Sequence, residues 1–383
     1  MNKQCNCFFL AFLSVSLLFS PILGVASSST QEEPATFNCL SKGWPHEMSD
    51  LTPDPALIFG TLENGVRYVI MPNHEPKDRV AMFLNIQAGS LHETDEQRGV
   101  AHYLEHLLFN GSTNYPPGTL VEYFQTIGME FGPDTNAHTG YDETVYKLLL
   151  PNSEKKNLSE GLLVLADYAG GALLLKEEVE RERGVIIAEK RERNSAARRL
   201  SKAKNEQTFA KTLIAQRDII GTDEILETAD SALLRQYYER WYRPDNMIVV
   251  VVGDASTELV EQLIQQHFSP LKAKTTQPDC PTFGQVAESG IESYYISEPD
   301  LGYTEVSIGS AWNTEPYLYN KTEATRQLKE YIAAIMMDYR LDQLTSHENS
   351  PLTSAGLYLG KMVGRVGFTA VQARTSAENW KQS

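Results

Sequence analysis

Gly99-Val100-Ala101-His102-Tyr103-Leu104-Glu105-His106-Leu107-Leu108-Phe109-Asn110-Gly111 is the stretch from which the rest of the chain can be read. Val100, Tyr103, Leu104, Leu107 and Leu108 recur at i, i+3, i+4, i+7 and i+8, the apolar stripe of a helix packed on a core. His102, Glu105 and His106 fall at i, i+3 and i+4 on a different face, so their side chains converge. Two imidazoles one turn apart suit a tetrahedral zinc ion, and a carboxylate beside them suits proton abstraction from a water held there. A helix with two merely exposed histidines is the plainer reading of the same residues.

Outward from this helix, the chain reads as α+β. On the N-terminal side, Asn64-Gly65 predicts a hairpin with a tight two-residue turn, followed by alternating Val66, Tyr68 and Ile70. Residues 79–87 read as a strand with Val80, Met82, Leu84 and Ile86 on one face. On the C-terminal side, 120–127 reads as a short helix. Residues 136–146 read as two extended pieces around Gly140, the second running on to Pro151. Helices are expected over 154–169, 176–192, 231–242 and 257–267. The run from Asn246 to Gly253, apolar after its first residue, predicts a strand buried on both faces. Strands near 292–297, 304–311 and 367–375 and a long helix over 322–345 make a second α+β unit, without a second His-x-x-Glu-His.

The chain has 383 residues with 42% hydrophobic content, enough for one large or two ordinary domains. Its 50 acidic against 34 basic residues give a net charge of -16, which disfavours nucleic acid as a partner. The basic run over 189–204 reads as a solvated helix face. Residues 1–26 read as a secretory signal: Lys3, an apolar run over 8–23, then Gly24-Val25-Ala26. Nothing later is long and apolar enough to span a bilayer, so the expected location is exported, periplasmic or secreted. Residues 27–54 read as a polar N-terminal extension, 55–274 as the domain that carries the candidate zinc ligands, 275–291 as a Pro- and Thr-rich linker, and 292–383 as a partial second domain. Once the signal is removed only Cys39 and Cys280 remain, a possible disulfide in an oxidising compartment.

His-x-x-Glu-His is the inverted zincin order. A catalytic zinc needs a third protein ligand on another element and an open position for water. The helix over 176–192 offers Glu178, Glu182 and Glu189 on one face, and periodicity does not choose among them.

Here the sequence resembles the pitrilysin (insulinase) metallopeptidases, most of all their exported bacterial members. That family carries two Glu seven residues apart on such a helix, the second a zinc ligand and the first a supporting carboxylate. Glu182-Arg183-Gly184-Val185-Ile186-Ile187-Ala188-Glu189 matches, so the resemblance gives Glu189 the ligand role and Glu182 the supporting one. Spacing from His106 alone fits Glu182 better. Gly60-Thr61-Leu62-Glu63-Asn64-Gly65 and Tyr242-Arg243-Pro244-Asp245-Asn246-Met247 also match. So does Asn136-Ala137, where the family has an edge strand that aligns extended substrate.

The resemblance implies a LuxS/metallohydrolase-like α/β sandwich followed by a partial second domain of similar type. It implies a zinc metalloendopeptidase with one Zn²⁺ per chain, held by His102, His106 and Glu189, with Glu105 as general base. Substrates would be extended peptides or small unfolded proteins aligned by Asn136 and Ala137. Family members work as two halves, so a C-terminal half of the same type is the implied partner, in many members supplying an Arg and a Tyr to the substrate. A chain ending at Ser383 is expected to be a fragment of a longer product, its cleft open on one side. The alternatives are a non-catalytic family member and a truncated one that binds zinc or peptide without turnover.

Overall fold

A computed structural model describes residues 43–286, 290–314, 319–379 and 381. The signal segment 1–26 and Cys39 lie outside the described residues. Nine strands are described: β1 Ile58–Thr61, β2 Arg67–Pro72, β3 Val80–Ile86, β4 Thr135–Thr139, β5 Thr144–Leu150, β6 Met247–Gly253, β7 Thr304–Asn313, β8 Leu352–Met362 and β9 Val366–Thr375. The helices are α1 Val100–Leu107, α2 Thr119–Thr126, α3 Lys155–Gly170, α4 Lys176–Glu192 and α5 Ala196–Thr208. They continue with α6 Leu213–Gln216, α7 Asp223–Thr228, α8 Ser231–Trp241, α9 Thr257–Phe268 and α10 Lys321–Thr345.

The first six strands form one sheet in the order β1-β2-β6-β3-β5-β4. Its pairs are antiparallel except β2 with β6. Val80, Met82, Leu84 and Ile86 of β3 are buried, and Tyr146, Leu148 and Leu150 of β5 join them in one core with α1, α3, α8 and α9. This is the two-layer α/β sandwich expected of the sequence.

The hairpin differs in detail from its prediction. The Gly65 N–H donates to the Leu62 carbonyl (2.9 Å), closing a four-residue turn with Gly65 at φ 98°, rather than a two-residue turn at Asn64-Gly65. The Asn64 side chain instead donates to the Phe268 and Leu271 carbonyls, pinning the turn to the end of α9.

β6 is not buried on both faces. Met247, Val249 and Val251 are buried while Ile248, Val250 and Val252 are half-buried, because α1, α3, α8 and α9 all pack on the alternate residues of the sheet that stay buried.

β7, β9 and β8 form a second, antiparallel sheet with α10 against β8. No strand forms over 292–297, because that segment has no ladder partner among the described residues. The basic run is largely solvent-facing, as expected, and α5 buries no side chain. Ser195 caps α5, Arg199 grips Glu298 through two bonds of 2.7 Å, and Lys204 pairs with Glu305, tying α5 to the start of the second unit.

Within segment 275–286, Phe283 and Val286 are buried with Leu91, Phe209, Ile214 and Val366, while most of its other residues are exposed. Cys280 takes part in a disulfide. No helix among the described residues is long and apolar enough to cross a membrane.

Candidate metal centre

The motif helix α1 is fixed from both ends. Gly99 precedes it at φ 98°, a conformation that favours glycine. The carboxylate of Glu93 accepts the N–H groups of Gly99 (3.0 Å) and Ala101 (2.8 Å), donors that have no partner within a helix. Burial pushes the Glu93 carboxyl up to about 8, against the pull of those donors and of Arg217. Further along, the Tyr103 hydroxyl donates to the Val179 carbonyl and holds α1 against α4. These contacts set which face of α1 meets α4.

On that face His102, His106 and Glu189 bring one donor atom each to within 4.8 Å of one another. Glu189 Oε2 stands 3.6 Å from His102 Nε2 and 3.4 Å from His106 Nε2. Neighbouring donors around a tetrahedral zinc with bonds of about 2.0–2.1 Å stand roughly 3.3–3.4 Å apart, so the spacing suits such an ion. Glu189 Oε2 is also buried without a hydrogen-bond partner among the described residues, which is costly for a carboxylate unless a cation meets it. The residues therefore fit a zinc-sized cation with nitrogen and oxygen donors.

The supporting contacts orient these donors. His106 Nδ1 lies 2.9 Å from Glu182 Oε1, which fixes the Nδ1–H tautomer and leaves Nε2 free to ligate. Asn110 donates to the other Glu182 oxygen (2.8 Å). Arg193 lies one turn beyond Glu189 and holds its Oε1 at 2.5 Å, turning Oε2 toward the histidines. The seven-residue spacing thus puts Glu189, rather than Glu182, at both Nε2 atoms, while Glu182 meets the back of His106.

Electrostatics separate the two histidines. Burial, helped by the nearby His106 and Arg193, drops His102 to about 3, so it stays neutral and available as a ligand. Burial alone would lower His106 too. The Glu182 bond and the charges of Glu105, Glu182 and Glu189 outweigh it and hold His106 above its usual value.

Glu105 lies about one turn beyond His102 and immediately before His106, and it is buried. Burial raises its carboxyl above the ordinary range, while the Thr139 hydroxyl, donating to its Oε2 at 2.7 Å, pulls the other way. Thr139 ends β4, an outer strand of the sheet whose ladder among the described residues is with β5, and whose Thr135 is also bridged by Phe131. Asn136 and Ala137 lie on that same edge strand, Asn136 exposed and Ala137 half-buried, and the Ala137 N–H donates to Asn136 Oδ1 (2.8 Å).

Sequence reasoning missed Thr139, Asn110, Arg193 and Glu93. Of these only Arg193 carried a local signal, a base at i+4 from a candidate ligand. His92 is buried against Trp241, ring centroids 4.6 Å apart, and burial lowers it to about 3. His138 is exposed and pairs with Glu143 at 3.6 Å.

With this geometry in view, comparison with known proteins is informative. Residues 68–222 match the sequence model of Insulinase (Peptidase family M16), and 228–382 match that of the Peptidase M16 inactive domain. β6 falls in the second span yet lies inside the first sheet, and α8 and α9, in the same span, pack in its core.

The probable zinc protease PqqL of Escherichia coli is 42% identical over 223 residues, 58% of this chain and 24% of that protein. The zinc protease PQQL-like of Arabidopsis thaliana is 35% identical over 309 residues, 80% of this chain and 32% of that protein. The crystal structure of the first half of the periplasmic protease PqqL from Escherichia coli superposes with a TM-score of 0.79 at 31% identity. That match covers 86% of this chain and 70% of the solved one. The chain thus spans about a quarter to a third of the curated relatives' length.

Proposed function

The chain belongs to the insulinase family, peptidase family M16, and from that premise we propose that it is the metal-binding part of a zinc metalloendopeptidase. The observation that carries the reading is the meeting of His102 Nε2, His106 Nε2 and the partnerless Glu189 Oε2 beside the buried Glu105. His102, His106 and Glu189 hold one Zn²⁺. Bound there, zinc supplies Lewis acidity that polarises the scissile carbonyl and acidifies a water.

Glu105 takes the proton of the attacking water and hands it to the leaving amine. Burial raises its carboxyl above the ordinary range, which makes it a better proton acceptor than an exposed glutamate. Thr139 keeps Glu105 aimed, Glu182 holds the His106 tautomer, and Arg193 holds Glu189. An extended peptide adds to the free edge of β4 at Asn136 and Ala137, gaining affinity from main-chain bonds with little sequence selectivity.

Two further assignments rest on the relatives, and a third on the disulfide-bonded state of Cys280. A C-terminal half of the same family type closes the cleft; the solved full-length PqqL is matched over 36% of its length, which leaves room for one. The signal-like residues 1–26 and the likeness to a periplasmic protease support export. Cys39 and Cys280 form a disulfide.

The test uses the zinc-loaded chain and an unfolded peptide such as insulin B chain. Cleavage should be slow beside a whole two-part enzyme, stop on chelation and return with stoichiometric zinc. Cleavage indifferent to chelation would rule the reading out.

A further inference from the structure

The edge strand β4 runs between two features. At its C-terminal end Thr139 contacts Glu105. At its N-terminal end the loop before it folds back: Gly132 N–H donates to the Thr135 carbonyl (2.9 Å), Glu130 N–H donates to Asp134 Oδ2 (2.9 Å), and Phe131 bridges to Thr135. This braced loop holds the Phe131 ring edge-on against Phe109, centroids 5.1 Å apart, although Phe131 remains 57% exposed.

Beside it opens a cleft of about 150 Å³ lined by Val121, Phe124, Gln125, Met129, Glu130 and Phe131. Val121 is also exposed, at 38%. Four of the six lining residues are apolar, and two of those face solvent, as in a ligand groove.

We infer that this cleft is a side-chain subsite of the peptide-binding edge, holding an aromatic or large aliphatic substrate residue. The inference rests on the reading that substrate adds as a strand to β4. Thr135 and Thr139 are an even number of residues apart, so both face the helical layer in which α1 and α2 lie. A strand paired with β4 therefore presents side chains to the Glu105 region and to the cleft from the same face. The separation, about four residues at roughly 3.3 Å each, is about 13 Å.

β4 already pairs antiparallel with β5, and antiparallel pairing is the more stable kind. A peptide added antiparallel runs from Thr139 past Ala137 toward the loop, where Gly132 and Phe131 already occupy the edge at Thr135. The cleft then takes a residue about four positions past the scissile bond on its C-terminal side. The cleft is small, so one Phe, Tyr, Leu or Met fills it, while Glu130 and Gln125 at its rim tolerate a hydroxyl.

The experiment walks a single Phe through short peptides of otherwise polar residues and maps cleavage by the zinc-loaded full chain with mass spectrometry. Bonds with Phe about four positions to their C-terminal side should be cut roughly tenfold faster than the same bonds in an Ala twin. Phe131→Ala and Val121→Asp, both at exposed positions, should erase that preference and leave cleavage of the Ala twins unchanged. Zinc-dependent cleavage indifferent to Phe position would overturn the subsite and spare the peptidase reading.

If no zinc-dependent cleavage occurs, the peptidase reading fails, and fluorescence anisotropy decides the subsite. Tighter binding of the Phe peptide than its Ala twin, lost in Phe131→Ala, supports it. Equal binding overturns it.

Discussion

Glu105→Gln is expected to keep zinc at one per chain and to lose peptide hydrolysis by roughly 10²–10⁴-fold, the range contributed by a positioned general base. The substitution keeps shape and an acceptor, so Thr139 retains an oxygen to bond. Neither imidazole depends on Glu105 for orientation, since Glu182 bonds His106 and His102 faces Glu189. What disappears is the carboxylate that accepts the proton.

Metal content by mass spectrometry together with kcat reads both halves of the prediction. Zinc lost along with activity would make Glu105 a ligand, and activity kept would exclude it as the base. In the native chain, activity should fall as pH drops through the Glu105 pKa, because only the ionised form accepts a proton. Burial raises that pKa, so the acid limb should lie above the usual carboxylate range.

The second large effect separates two carboxylates on one helix face. Glu189→Gln removes an anionic donor aimed at both Nε2 atoms and leaves Arg193 without its partner, so zinc affinity should fall by more than 100-fold, beyond the roughly 10–100-fold usual for an outer-shell change. Glu182→Gln still offers an oxygen to His106 Nδ1 and should cost no more than about 10–100-fold in affinity or activity. Competition with a chelator of known affinity measures both. The reverse order would exchange the two roles.

Zinc binding should also release a proton from His106, whose pKa is held above the ordinary imidazole value by Glu182 and its other carboxylate neighbours. Affinity should therefore weaken as pH falls through that raised pKa, and begin to do so above the ordinary range. His102, depressed to about 3, adds no dependence near neutrality.

Much of this site is written locally. A stripe of Val100, Tyr103, Leu104 and Leu107 predicts α1, and the same turn carries His102, Glu105 and His106. Helix periodicity likewise puts Glu182 and Glu189 on one face. Choosing between them needs the distance between α1 and α4 and the loops that set it, which residue counting does not supply. Thr139 and Glu93 act across long sequence separations and leave no periodic trace.

The second unit was harder to read for a different reason. β8 contains Gly356 and Gly360, which interrupt a strand pattern, so its eleven residues went unrecognised until β9 supplied the ladder. The segment 292–297 shows the opposite failure: strand-like residues with no ladder partner among the described residues. The ion pairs of the solvent-facing basic run with Glu298, Asp300 and Glu305 leave no local trace, because those partners lie about a hundred residues away.

Anomalous diffraction at the zinc edge from crystals of the zinc-loaded chain tests the metal centre most directly. One strong peak is expected within about 2.0–2.2 Å of Nε2 of His102, Nε2 of His106 and an oxygen of Glu189, with Glu105 and Glu182 outside bonding distance. A peak bonded to Glu182 instead of Glu189, or zinc held only at some other place on the chain, would contradict it.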